Sequence, residues 1–115
     1  MSDPEAIELD MAHLKTWIGS TETVTDQITE SLIERFQATF YDKLWPMEDA
    51  APLGIHWCLA PPAAPGNNLG ADGHPKRGGF LPPVPLPSRM WAGGELVFHA
   101  SLRVGDLVTR HSRVE

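Results

Sequence analysis

The chain has 115 residues, 42% of them hydrophobic, which suffices for one modest core and leaves no room for a second domain. Nine Lys and Arg against fifteen Asp and Glu give a net charge of −6, and the scattered cations form no basic stripe for a nucleic-acid backbone. The acidic first ten residues lack the basic and apolar regions of a signal peptide, and no apolar run nears the roughly 20 residues of a membrane helix, so a soluble cytoplasmic protein is expected.

Cys58 is the sole cysteine, which excludes an internal disulfide and agrees with a reducing compartment. Eleven prolines and ten glycines, most of them between Pro46 and Gly94, predict a middle region that is mainly loop.

In chain order, Ile7, Met11, Leu14 and Trp17 recur at helical spacing and predict a short amphipathic helix ended by Gly19. Residues 1–18 therefore read as an N-terminal helical segment. The Thr-rich run 20–28, with Val24 and Ile28, predicts a short extended segment entering a helix. Thr29 or Ser31 can cap that helix, and Ser31 with Glu34 has capping-box spacing. Leu32, Ile33, Phe36 and Phe40 share one face of a helix over about residues 29–42.

From 44 to 90 periodicity collapses into Pro/Gly-rich chain, except for Gly54-Ile-His-Trp-Cys-Leu-Ala60. That apolar run demands burial, as a strand or as a helical turn. Trp45, Trp57, Phe80 and Trp91 favour an ordered loop packed on a surface, because disordered segments are poor in aromatics. After Gly93-Gly94, Leu96 and Phe98 alternate with Glu95, Val97 and His99; Gly105-Asp106 comes next as a bend, and residues 107–114 extend again. The pattern predicts a β-hairpin. A lone hairpin with one helix leaves a bare sheet edge, so the expected architecture is an incomplete α+β domain that lacks its last strands.

Few residues offer chemistry. His56, Cys58 and His74 do not form a recognised zinc pattern, and Cys58 reads as a buried thiol beside Trp57. Lys76-Arg77-Gly78-Gly79 places two cations on a Gly-rich loop, either to hold a phosphate or as a solvated tip. Met90 and Trp91 can line an apolar channel for an acyl chain or cover the sheet as core. The run 81–87 can instead serve as a polyproline ligand, although its flanking aromatics favour internal packing.

The stretch G-F-L-P-P-V-P-L-P-S-R-M-W-A-G-G-E-L-V-F-H, followed by L-R-V-G-D-L-V-T-R, resembles the amino-terminal half of MaoC-like dehydratases, in the hydroxyacyl-thioester dehydratase type 2 branch that holds mesaconyl- and itaconyl-CoA hydratases. The resemblance covers about residues 17–115. It implies a hot-dog fold over residues 19–115, a helix wrapped by an antiparallel sheet. A second hot-dog unit is also implied, from the same polypeptide, a separate subunit or a homodimer. The substrate implied is a short acyl-CoA such as mesaconyl-CoA, with no cofactor and no metal.

The family's catalytic motif is D-x-N-P-x-H. Asp49-Ala-Ala-Pro52-Leu-Gly54 has Ala for Asn and Gly for His, and His56 falls two residues late, so no catalytic role carries over. The resemblance leaves a substrate-binding part, with Arg89, Trp91, Gly93 and Gly94 at the acyl pocket and Lys76 and Arg77 meeting CoA phosphates. The competing reading is a thioester-binding or scaffold subunit paired with a separate catalytic hot-dog chain.

Overall fold

A computed structural model of the chain describes residues 8–44 and 49–115. Ile7 and Trp45, which the helix and loop expectations include, lie outside the described residues. The architecture is α+β: two helices, α1 (Met11–Leu14) and α2 (Glu30–Phe40), and one sheet of two strands, β1 (Thr21–Gln27) and β2 (Leu107–Arg113). Short 3-10 turns at Lys15–Trp17, Ile55–Cys58 and Gly66–Asn68 complete the regular structure of the described residues.

The strands are antiparallel. Val114 N–H donates to Ser20 O at 2.9 Å at one end, and Ile28 N–H donates to Asp106 O at 3.0 Å at the other. That register sets Thr25 opposite Thr109, and their hydroxyls are hydrogen-bonded at 3.2 Å. Glu22, Val24 and Asp26 on β1 and Val108, Arg110 and Ser112 on β2 form the half-buried face, as period-2 alternation requires.

The expected hairpin is therefore corrected. Gly105, at φ +90°, makes the expected bend, with Asp106 N–H donating to Arg103 O at 3.1 Å. Beyond it, however, β2 pairs with β1 rather than with residues 95–100, which belong to no strand among the described residues. A hairpin signature reports two extended segments and a bend, but it does not say which segment is the partner.

The described residues form two compact units, one of residues 8–22, 62–94 and 111–115, the other of 23–44, 49–61 and 95–110. In the first, Asp10 caps α1 by accepting from His13 N–H at 3.1 Å, and the helix tightens into the 3-10 turn before Gly19 at φ +89°. The Pro/Gly-rich chain is held by discrete polar ties. Trp17 Nε1–H donates to Gly79 O at 2.9 Å, and Ser20 Oγ–H donates to Phe80 O at 3.0 Å. The Arg77 guanidinium donates to both Val84 O and Leu86 O, cross-bracing the polyproline stretch from within.

The second unit holds the core. Ile28, Ala51, Ile55 and Leu59 are buried together, and Leu32, Ile33 and Phe36 of α2, Leu102 and Val108 pack around them. Thr29 is the cap of α2, its hydroxyl accepting from Leu32 N–H at 3.0 Å, rather than Ser31. The run 54–60 takes the helical-turn form: Gly54 at φ +94° starts the turn, and Ile55, Leu59 and Ala60 enter the core. Trp57 and Cys58 on the same turn are exposed. The expectation of a buried thiol is thus corrected, because a one-turn helix can bury only one side.

Asp26 ties this turn to the sheet. Its carboxylate accepts from Ala60 N–H at 2.6 Å and from Gln27 N–H at 2.8 Å, and Arg110 donates to Ala60 O at 3.3 Å. The backbone bond from Ala60, foremost, holds the Asp26 carboxyl below its usual range. A lowered folded-state pKa means that the contribution is complete well above pH 3.8, the ordinary value, and vanishes as pH falls through that value and the lower folded one.

Ile55→Ala, which empties a fully buried site, is expected to cost about 2–5 kcal/mol in denaturant unfolding. Asp26→Asn is expected to lower stability at neutral pH and to flatten its decline on acidification; an unchanged acid-unfolding profile would remove Asp26 from the fastening.

Candidate functional site

Lys76 and Arg77, expected together, share a cavity with Arg89, which was expected beside Trp91, Gly93 and Gly94 instead. Lys76, Arg77 and Arg89, with Gly70, Ala71, Asp72, Pro75, Leu86 and Pro87, line an open cavity of about 340 Å³ in the first unit. The loop reaches this form through a short antiparallel bridge between Leu69 and Pro75, with Gly70 N–H donating to His74 O at 2.7 Å and Lys76 N–H to Asn68 O at 2.8 Å.

The three cations differ in what they can do. Arg77 is committed to the carbonyls of Val84 and Leu86, so it braces the wall. Arg89 Nε–H donates to Asp72 Oδ2 at 3.2 Å. Lys76 has an exposed side chain and no ion pair with another described residue. Its ammonium is the cavity's available donor for an anion.

Sequence reasoning overlooked Asp72. Its carboxylate accepts from His74 N–H at 3.0 Å, lies 3.3 Å from His74 Nδ1, and takes Arg89. The His74 backbone bond, before the ionic contacts, keeps the Asp72 carboxyl below its ordinary range. The available signal was Asp72-Gly73-His74: a short carboxylate two residues before an N–H, with Gly73 at φ +81° between them, is an Asx-type turn.

Trp91, Gly93 and Gly94 do not line this cavity. Trp91 is 80% exposed. Its ring lies against Gly94, where an added Cβ would stand 2.9 Å from ring carbon Cζ2. The glycine is thus what lets that ring approach the backbone so closely. Trp57 and Trp91, expected to pack the long loop onto a surface, are both exposed, and Trp17 and Arg77 do the fastening instead.

In the second unit, residues 49–54, which the sequence reading set against the dehydratase motif, form bends and a turn. Asp49, at φ +55°, lines one open cavity together with Ile33, Ala50, Ala51, Arg103 and Val104. His56 lines another, of about 220 Å³, with residues 52–55, 96–100 and Leu102. The imidazole lies 4.9 Å from the Trp57 ring between centres, tilted by 37°, and makes an edge contact with Phe98 at 5.8 Å. Gly54 has φ +94°, which strains any side chain, and an added Cβ would stand 3.4 Å from the Trp57 ring. Among the described residues no three His, Cys, Asp or Glu side chains gather in a metal-binding group. Nor is any helix among them long and apolar enough to cross a membrane.

The chain belongs to the hydroxyacyl-thioester dehydratase type 2 family, whose pattern matches residues 54–115, more than half of its length. Mesaconyl-C(4)-CoA hydratase of Chloroflexus aurantiacus is 39% identical to it over 104 residues, which make up 89% of this chain and 37% of that relative. The chain therefore spans little more than a third of the relative's length.

Replacing Arg77 by Gln is expected to free the polyproline segment from its internal brace. Limited proteolysis reads this as faster cleavage within residues 80–90; unaltered cleavage would show that the two carbonyl bonds do not hold the loop.

Proposed function

We propose that the chain is the substrate-binding, non-catalytic portion of an acyl-CoA hydratase or 3-hydroxyacyl-thioester dehydratase, a hot-dog unit acting in the cytoplasm on a short acyl-CoA such as mesaconyl-CoA. Family membership carries the reaction class, and the motif departure carries the division of labour. Adding water to an α,β-double bond needs a carboxylate and an imidazole on one water. Here Asp49 and His56 line separate cavities, and Gly54 occupies the imidazole position, which supports placing proton transfer on a second hot-dog unit.

The binding role rests on the first unit. Lys76 offers its ammonium to a CoA phosphate, and Arg89 joins it when an incoming anion competes with Asp72. Arg77 keeps the loop in shape. Trp91, lying against Gly94 beside Gly93, presents an exposed apolar face to the acyl portion. The alternative, a thioester-binding or scaffold subunit for a separate catalytic hot-dog chain, uses the same residues and differs only in whether the second unit is covalently attached.

The test is calorimetric titration of the chain with coenzyme A at low salt. Binding that weakens with added salt and falls roughly tenfold in Lys76→Ala, the order of one lost charge-assisted hydrogen bond, is the expected result. Absence of binding, or equal affinity in that variant, would sink the assignment of the phosphate site. Hydration of mesaconyl-CoA by the chain alone would sink the non-catalytic role. In a complete homologous hydratase, replacing the tryptophan equivalent to Trp91 by Ala is expected to raise KM for acyl-CoA; unchanged kinetics would remove that residue from the pocket.

A further inference from the structure

The cavity of the first unit contains an anion of its own. Asp72 is on its wall, beside Lys76, Arg77 and Arg89. A site built only to hold an anion gains nothing from a carboxylate there, because like charges repel at such range. The loop nevertheless fixes that carboxylate in place. Asp72 Oδ1 accepts from His74 N–H at 3.0 Å, Gly70 N–H donates to His74 O at 2.7 Å, and Gly73 N–H donates to Gly70 O at 3.1 Å. Gly70 packs so close that an added Cβ would stand 3.3 Å from Asp72 Oδ1. Asp72 is thus a set part of the wall, and the His74 backbone bond, foremost, favours its charged form.

Its hold on Arg89 is of the weak kind. Arg89 uses Nε alone, 3.2 Å from Asp72 Oδ2, and its terminal nitrogens make no hydrogen bond among the described residues. A guanidinium pairs most strongly through two parallel N–H bonds, which a phosphate accepts as readily as a carboxylate. The Arg89 and Asp72 side chains are 34% and 39% open to solvent, where an ion pair contributes little. Asp72 also keeps other neighbours: Oδ2 lies 3.3 Å from His74 Nδ1, and Oδ1 retains the His74 N–H. Loss of Arg89 therefore leaves neither oxygen without a polar neighbour. Withdrawing Arg77 would instead strip the carbonyls of Val84 and Leu86 of their donor. Of the two arginines, Arg89 is the one able to change partner.

We propose that Asp72 is a built-in competitor for Arg89: it holds the guanidinium through one N–H, and a phosphate entering beside Lys76 takes Arg89 over while Asp72 stays on the His74 backbone. The affinity of the site is then held down by its own wall. Substrate and product of a hydratase carry the same CoA, so phosphate binding is uniform along the reaction, and excess affinity there slows release without aiding chemistry. That the phosphate belongs to coenzyme A rests on the proposed function; the exchange between Asp72 and Arg89 does not.

Calorimetric titration of the full chain with coenzyme A, and separately with inorganic diphosphate, tests both. Asp72→Asn keeps an oxygen for His74 N–H and removes the charge, and it should tighten either ligand by about two- to fivefold, the range an exposed ion pair spans. A carboxylate also repels an anion without any exchange, so the decisive comparison is made in an Arg89→Gln background. If Arg89 changes partner, the gain from Asp72→Asn should be smaller there than in the unaltered chain. Equal gains in the two backgrounds would reduce Asp72 to a repelling charge and overturn the proposal. In NMR spectra of the unaltered chain, the Arg89 Nε–H signal should shift on saturation with diphosphate; a signal that stays in place would also overturn it, as would failure of both probes to bind. Diphosphate binding with unequal gains in a chain that ignores coenzyme A would keep the exchange and remove the coenzyme A reading. Coenzyme A binding with equal gains would do the reverse.

Discussion

The pairing of β1 with β2 is the constraint on which the rest of this molecule depends. Thr25 and Thr109, bonded across the sheet, are 84 residues apart in the chain. Closing a loop of that length costs about 4 kcal/mol in chain entropy on the logarithmic scaling. Antiparallel backbone bonds offset that cost, together with the burial of Ile28, Ile55 and Leu59 beside Val108. The register also selects which side chains share a face. It puts Val24, Asp26, Val108 and Arg110 together, and only from that face can Asp26 and Arg110 both reach the backbone of Ala60.

The Pro/Gly-rich stretch shows how a chain with almost no secondary structure stays ordered. Prolines remove donors and stiffen the backbone, so few conventional backbone bonds are available between residues 61 and 106. Side-chain donors take their place: the Trp17 indole, the Ser20 hydroxyl and above all the Arg77 guanidinium satisfy carbonyls that no strand or helix claims. The same economy shapes the cationic cavity. One arginine is committed to structure, another is balanced by Asp72, and Lys76 has no ion pair among the described residues. Counting cations in the sequence therefore overstates the charge that a ligand would meet.

Local elements were legible from residue patterns because their causes are local. Apolar spacing and a capping hydroxyl marked α2, Thr/Val alternation marked β1, and a glycine before an aspartate marked the bend at Gly105. The errors were of another kind. Residues 95–100 and 107–114 resemble a hairpin, yet β2 is paired with β1, and Cys58 in an apolar run is exposed. In both cases the composition was right and the partner, or the side of the turn facing inward, depended on distant chain. Asp72 escaped notice because an Asx turn has no hydrophobic signature.

The sequence by itself determined the family, the α+β class, and the pair of cations Lys76 and Arg77 on a Gly-rich loop. All of these come from residue identity and short-range spacing. Tertiary structure alone decided which strand β2 joins, which of the cavity's cations has no ion pair among the described residues, that Asp49 and His56 line separate cavities, and that residues 95–101 make no backbone hydrogen bond to another described residue. The physical reason is that a hydrogen-bonding group or an apolar surface records only a demand for a partner. Chain topology decides which part of the molecule meets it.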